Sequence, residues 1–376
     1  MNTHIPGWIS YRLSDIYTER REPGNESLPL LTVSIHSGVS DGELDEDELP
    51  KKVKRIEDKS QYKRAATGDL VFNMMRAWQG AIGTVRTEGM VSPAYIVAKP
   101  NGRVYPPFMD YYMKAPRMVG MINRQSYGVT DFRKRLYWDS FAPIPCVLPP
   151  VREQRKIAEI LSTQDKAIEL QARKIEELKR FKKGCLEKMF PRKGQKVPEK
   201  RFPGFTGDWE QRKLGDLLQT LPFKQFLKEP EPDGKYEIIQ QGNEPVIGFA
   251  NGTPCGDYKN VVIFGDHTLS LYKPQHPFFV ATDGVRIVKG QQDTDGYYLL
   301  SLLERYKPQS EGYKRYYSIL ADTNCITTYN TSEQEKIGVF FKLLDNLITL
   351  HQRKLEEMKR QKKALMQLLL TGIVRV

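Results

Sequence analysis

The sequence predicts a mixed α/β (α+β) chain organised as a pseudo-two-fold tandem repeat, in which two strand-rich globular domains are separated and joined by two long coiled-coil helices. Two observations predict this. A helical segment occurs twice at a fixed offset of 180 residues, once from Glu153 and once from Glu333. Each copy also carries apolar residues at the heptad spacing of a coiled coil.

Glu153-Gln154-Arg155-Lys156-Ile157 aligns on Glu333-Gln334-Glu335-Lys336-Ile337, and no gap is needed from there on. Arg173-Lys174-Ile175-Glu176-Glu177-Leu178-Lys179-Arg180 falls on Arg353-Lys354-Leu355-Glu356-Glu357-Met358-Lys359-Arg360, and fifteen of the 37 positions up to Met189 are identical. Exposed charges match as well as apolar residues do, so a shared helical period is a poor explanation and a true internal repeat is the better one. Trp8, Leu13, Asp15 and Ile16 also match Trp209, Leu214, Asp216 and Leu217, at an offset of 201. Each half thus opens on the same entry, runs through roughly 120 to 140 divergent residues and closes on the shared helix. Two dissimilar inserts on one repeated scaffold imply two different ligands.

Taken in order, residues 1–148 read as a mixed, strand-rich domain with short apolar runs at Leu70-Val71-Phe72 and Ala94-Tyr95-Ile96-Val97, each preceded by turn residues. Pro143, Pro145, Pro149 and Pro150 lead into a helix over 149–190, which Pro191 ends because proline cannot continue the hydrogen-bond ladder. Residues 191–330 comprise a polar linker (192–208) and a second mixed domain, with strands expected at 236–240, 261–264, 278–281 and 285–288. The final helix, 331–376, opens on Ser332-Glu333-Gln334-Glu335, read as a capping box. The seam runs through Ile157, Leu161, Ile168, Ile175 and Leu178 in the first helix. In the second it runs through Ile337, Phe341, Ile348, Leu355 and Met358. Gln164, Gln171, His351, Lys182 and Lys362 interrupt it, as residues that fix register or mark where it opens. At about 1.5 Å per residue, such a helix is a rod of roughly 55 Å.

The net charge of +12 points to a polyanionic partner. Ten Lys or Arg against two Glu between 179 and 201 are read on their own as a solvated helix end and linker. The four cysteines, Cys146, Cys185, Cys255 and Cys325, are too far apart for a disulfide framework or a zinc site, and fit buried thiols in a reducing compartment. With no signal-peptide core and no apolar run near the roughly 18 residues of a membrane helix, the expectation is a cytoplasmic chain without a membrane role. No GxxxxGK[ST], GxGxxG, HExxH or GxSxG motif occurs. Tyr105-Pro106-Pro107-Phe108 lacks the Asn or Asp that an amino-methyltransferase loop needs, and reads as a Pro-rich turn. Asp233-Gly234-Lys235 and Glu57-Asp58-Lys59 match only half of a nuclease motif. The expectation is a binding module with no catalytic residues and no metal.

These residues resemble a known family, the specificity subunits of type I restriction-modification systems. The resemblance is carried by Leu148-Pro149-Pro150-Val151-Arg152-Glu153-Gln154 with its counterpart at Glu333, by the repeated helix cores, and by Arg201-Phe202-Pro203-Gly204-Phe205-Thr206-Gly207-Asp208-Trp209. Gly68-Asp69-Leu70-Val71-Phe72-Asn73 and Ser92-Pro93-Ala94-Tyr95 look like the target-recognition pattern, of which Val261-Val262-Ile263-Phe264-Gly265-Asp266 is a loose echo. What the resemblance implies is an adaptor for double-stranded DNA. Two target-recognition domains would each read one half of an asymmetric, interrupted sequence, and antiparallel helices would set the gap. The helices would also dock two methyltransferase subunits that bind S-adenosylmethionine, joined in a complete system by two restriction and translocase subunits that use ATP and Mg.

Within that reading, residues 73–80 of the first domain pair Arg76, suited to a guanine edge, with Asn73 and Gln79, suited to adenine. A β-turn around a core Trp fits the same residues. Arg133, Lys134 and Arg135, between Tyr127 and Tyr137, fit phosphate contacts or a solvated basic turn. Gln240, Gln241, Asn243, Lys314, Arg315 and Lys224 are the second domain's counterparts. Two rivals stand beside this reading. One is an enzyme with a cryptic nuclease or methyltransferase centre; the other is a coiled-coil scaffold with no nucleic-acid role, which leaves two divergent basic inserts unexplained.

Overall fold

The computed structural model describes residues 5–35, 38–41, 61–128, 133–291 and 294–376; Glu57-Asp58-Lys59 lies outside them. The fold mixes helix and strand in two compact units. Unit 1 comprises Met1–Leu170 with Leu355–Val376, and unit 2 comprises Gln171–Lys354. The first long helix (Val151–Met189) and the second (Thr331–Leu370) therefore each give one segment to either unit.

In unit 1 the entry strand Ile9–Arg12 pairs antiparallel with Pro145–Leu148, just before the first long helix begins. A single helical turn, Leu13–Ile16, buries Leu13 and Ile16 and leads into a four-stranded sheet ordered Tyr17–Arg20, Tyr95–Pro100, Leu70–Asn73, Ile82–Thr84. Its two central strands carry the apolar runs 70–72 and 96–98, which are buried because both faces are covered there. Leu70, Phe72, Ile96 and Ala98 pack toward Phe108, Met118, Phe141, Ile157 and Leu161. Val71 and Val97 point the other way, into a core with Leu31, Val33 and Val91. Alternate residues thus serve different cores, as the two-residue period of a strand requires.

Unit 2 repeats this plan. Glu210–Lys213 pairs antiparallel with Asn324–Thr327, and the turn Leu214–Leu217 leads into a sheet ordered Leu218–Leu221, Val285–Gly290, Val261–Gly265, Leu271–Tyr272. Val262, Phe264 and Val288 serve one core, and Val261, Ile263 and Ile287 the other. Unit 2 also holds a second sheet, Val246–Ala250, Tyr236–Ile239 and Phe278–Val280, which contains a parallel pair and has no counterpart among the described residues of unit 1. The divergent inserts thus share a sheet topology, and the echo at Val261 falls on the strand equivalent to Leu70–Asn73.

The repeated Glu-Gln pair is explained by what it holds. Gln154, fully buried, donates to the carbonyls of Arg103 and Pro149 and accepts from Tyr105 N at 2.8 Å. Gln334 donates to Thr328 O and accepts from Asp295 N in the same manner. Each glutamine stitches the start of its helix to the neighbouring globular core. Glu153 takes a bidentate Arg375, and Glu333 a bidentate Arg201 at 2.7 and 2.9 Å.

Within each unit the helix segments run antiparallel. Unit 1 brings Lys362 to Asp165, and unit 2 brings Lys182 to Asp345 at 2.7 Å. These pairs are equivalent under the 180-residue offset. Gln171 donates through Nε2 to His351 O at 2.8 Å and lies 2.9 Å from His351 Nδ1, so the two polar seam residues, themselves repeat equivalents, satisfy each other. Ile157, Leu161, Ile175, Leu178, Ile337, Phe341 and Ile348 are buried, while Ile168, Leu355 and Met358 are half-buried.

Three local expectations change. The cap of the second long helix is Asn330, whose Oδ1 accepts from Glu333 N at 3.0 Å; Ser332 already lies in the first turn. Pro106 and Pro107 do not form a separate turn but open the helix Pro106–Tyr112, where the missing N–H groups cost nothing. Helices Pro116–Gln125 and Gly296–Tyr306 lie in domains read as strand-rich.

Candidate nucleic-acid interface

In unit 1 the chain leaves strand Leu70–Asn73 through residues 74–81 and re-enters the sheet at Ile82. Asn73 Oδ1 accepts from Met75 N at 2.9 Å, and Trp78 Nε1 donates to Met75 O at 3.0 Å, which folds the loop on itself. Gly80, at φ 102°, closes it in a conformation that an L side chain rarely adopts. Arg76 and Gln79 are left exposed.

A second loop is tied to the first. Leu136 N donates to Met74 O at 2.8 Å, and Lys134 Nζ lies 5.8 Å above the Trp78 ring. Tyr127 and Tyr137 pack beside it with ring centroids 5.6 Å apart and planes tilted by 37°. Arg76, Gln79, Arg133, Lys134 and Arg135 are thereby gathered on one basic and aromatic surface. Asn73 belongs to it as a turn former, since its carbonyl oxygen is already engaged. Arg76 is held in the loop by its backbone, through Asn73 O and the amides of Gln79 and Ala81, while the Arg76 and Arg133 side chains make no hydrogen bond or ion pair among the described residues. The strand under this surface is braced by Asp69, which takes a bidentate Arg20 at 2.7 and 3.3 Å. Burial holds the Asp69 carboxyl above the usual carboxylate range against that pull, and the pair with Asp69 raises Arg20.

Unit 2 builds the equivalent place differently. Strand Val261–Gly265 turns through residues 266–270 into Leu271–Tyr272, and Tyr316 N donates to Asp266 O at 2.8 Å. This is the counterpart of the tie between Leu136 and Met74. Lys314 and Arg315 sit on the second loop as Lys134 and Arg135 do in unit 1. Here, however, Lys314 faces Glu311 at 2.8 Å and Arg315 faces Asp283 at 3.6 Å, which offsets their charge. Gln241 is spent internally, its Oε1 accepting from His267 N at 3.0 Å. Gln240 donates to Glu244 O at 2.9 Å and closes its own loop. Asn243 is exposed. Lys224 is exposed in the short turn Lys224–Phe226, next to Leu227, which bridges Val280 on the other sheet. No bond among the described residues joins Lys224 to the loops at Asp266. Sequence reasoning missed His267, whose signal was its place immediately after the Val261 echo.

Among the described residues no group of three or more His, Cys, Asp and Glu is placed to hold a metal ion. Burial pushes the thiols of Cys146 and Cys325 up to about 12, which keeps them protonated and unreactive. Among the described residues, no helix is long and apolar enough to cross a membrane.

Residues 111–180 match the family described as the Type I restriction modification DNA specificity domain. A putative type I restriction enzyme MjaX specificity subunit from Methanocaldococcus jannaschii is 26% identical over 254 residues, 61% of this chain and 59% of that protein. The type I restriction enzyme MjaVIII specificity subunit of the same organism is 26% identical over 307 residues, 72% of this chain and 70% of that protein. The chain thus spans between three fifths and about seven tenths of these relatives. In fold it is similar to the S subunit of a type I restriction-modification system from M. genitalium, with a TM-score of 0.62 at 14% identity over 98% of this chain and 97% of that one. A second solved structure, from work on complex assembly and conformational transition of the type I R-M system, gives a TM-score of 0.58 at 16% identity over 97% and 98%.

Proposed function

We propose, from the chain's similarity to type I specificity subunits, that it is the DNA-reading subunit of a restriction-modification complex. In this reading it recognises a bipartite, asymmetric sequence in double-stranded DNA, one half with each unit. The long helices pair as an antiparallel coiled coil of pseudo-two-fold symmetry that fixes the gap and docks two methyltransferase subunits, with two restriction subunits in a complete system. Methyl transfer from S-adenosylmethionine, and ATP- and Mg-dependent cleavage, belong to those partners.

The observation that carries the reading is the pair of topologically equivalent loop surfaces, each knit by one 2.8 Å backbone bond and each different in side chains. A duplex reader needs cations against phosphate for affinity and amide, guanidinium or imidazole groups at base edges for discrimination. Unit 1 supplies Arg76, Gln79, Arg133, Lys134 and Arg135 in that combination. The equivalent pairs Asp165 with Lys362 and Asp345 with Lys182 support the symmetric helix arrangement.

The test is the methylome of a host strain that expresses the chain with its methyltransferase partner. The expected result is one interrupted methylated motif with two unlike halves. Methylation without sequence preference, or cleavage or methylation by the purified chain alone, would overturn the proposal.

A further inference from the structure

The hairpin at residues 266–270 of unit 2 is closely held. Leu269 is the one described non-glycine residue with positive φ, at 56°, an unfavourable conformation for a leucine whose side chain is buried. The turn is nevertheless fixed from every side. Gly265 N donates to Ser270 O at 2.8 Å, and Gly242 N to Ser270 Oγ at 2.9 Å. A Cβ at Gly265 would lie 2.4 Å from both Thr268 Oγ1 and Ser270 Oγ and 2.8 Å from Gln241 Cβ, so a side chain there would force these neighbours to shift. Asp266, fully buried, accepts from Arg286 and from Tyr317 N.

This rigidity positions one side chain. The His267 ring lies flat on that of Tyr313, with centroids 4.7 Å apart and planes 6° from parallel. His267 Nδ1 lies 3.2 Å from Lys314 O. A carbonyl cannot donate, so Nδ1 carries the proton, and Nε2 of the neutral ring is an acceptor. Among the described residues Nε2 has no partner. Such an atom has nothing to offer a phosphate oxygen, which is itself an acceptor. In the major groove it matches the exocyclic amines of adenine and cytosine, the donors displayed there.

We infer that His267 is a base-reading residue of unit 2, accepting at Nε2 from the amine of an adenine or cytosine in one half of the target, with Tyr313 and Gln241 as positioning residues. The inference rests on the DNA-recognition reading above. It also follows from topology, because the hairpin occupies the place that residues 74–81 occupy in unit 1.

The experiment uses the full chain with its methyltransferase partner and reads the methylated motif for the wild type, His267→Ala and Tyr313→Ala. Tyr313 is 87% exposed, so its removal leaves the core intact. His267→Ala is expected to lower discrimination about tenfold at a single A·T or C·G position of one half-site, the other half remaining unchanged. Tyr313→Ala is expected to relax the same position, by less. An unchanged motif in Tyr313→Ala together with an unchanged motif, or a uniform loss over both halves, in His267→Ala would overturn the assignment. If His267→Ala does not fold, relaxation at one position in Tyr313→Ala supports the inference and an unchanged motif overturns it. A wild type without any sequence preference would defeat the DNA-recognition reading first, and this inference with it.

Discussion

Lys182 and Lys362 are repeat equivalents, yet their replacement should have unequal consequences. Lys182 is largely buried and meets Glu304 at 2.6 Å and Asp345 at 2.7 Å, its side chain 12% exposed and theirs 25% and 33%. Burial alone would lower its affinity for a proton, but the two carboxylates outweigh that and raise its pKa. Among the described residues Lys362 has one ion-pair partner, Asp165, which is 42% exposed and also accepts from Tyr111 OH, and it lies 5.5 Å from the Tyr111 ring. Removing one partner from a buried ion pair costs about 3 to 5 kcal/mol because a charge is left unpaired, whereas an exposed pair is worth about 1 kcal/mol or less. With its carboxylates partly solvated, Lys182→Met should cost about 3 kcal/mol, since two like charges are then left side by side. Lys362→Met should cost about 1 kcal/mol. The raised pKa means the Lys182 contribution is complete below the ordinary lysine range and fades only as pH climbs through its folded value. The difference between the two variants should therefore be flat from pH 6 to 9. Hydrogen exchange of peptides from 171–189 and 331–354 reports unit 2, and of peptides from 151–170 and 355–370 unit 1. Equal losses of protection in the two variants would refute the argument.

Arg76→Ala should relax one base position, whereas Lys134→Ala should weaken binding to target and random duplex alike and flatten the salt dependence by about one unit of slope. Equal losses on both duplexes from both variants, measured by fluorescence anisotropy against salt, would remove Arg76 from base reading. A chain cut after Pro191 retains one reader and one helix, and should dimerise with Lys182 of one copy facing Asp165 of the other. Light scattering should then show a dimer lost in Lys182→Asp and restored by adding Asp165→Lys; a monomeric parent would contradict this. Burial pushes Lys273 down to about 8, between the carbonyls of Tyr258 and Pro274. Its folded pKa lies below the unfolded one, so the unfolded chain binds more protons between about 8 and 10.5 and stability rises across that window. Relative to Lys273→Met, the wild type should gain up to roughly 3 kcal/mol there, and parallel denaturation profiles would refute it.

The two long helices were legible in the sequence because their matched residues and apolar period display themselves. The matched Glu153 and Glu333, Gln154 and Gln334, and Lys182 and Lys362 turn out to make matched bonds. Central strands were legible as short apolar runs. Helix Gly296–Tyr306 was not, because it is buried on most sides from Tyr298 to Leu303 and shows no polar stripe. In unit 1 the loop at residues 74–81 carried residue types suited to base edges. In unit 2 the same search favoured Gln240 and Gln241, whose amides are consumed at home, over His267. Which side chain is already satisfied is a property of the folded loop and cannot be read from composition.

The equivalent surfaces separate what anchors a loop from what the loop displays. In each unit the loops are fastened by backbone atoms, Leu136 to Met74 and Tyr316 to Asp266, and a backbone bond is indifferent to the side chain above it. Residues at the tips can therefore drift without loosening the sheet beneath, and one unit can change while the other stands still. On the proposed reading, altering a handful of codons in one hairpin would give such a chain a new address while the backbone ties beneath it stay as they are.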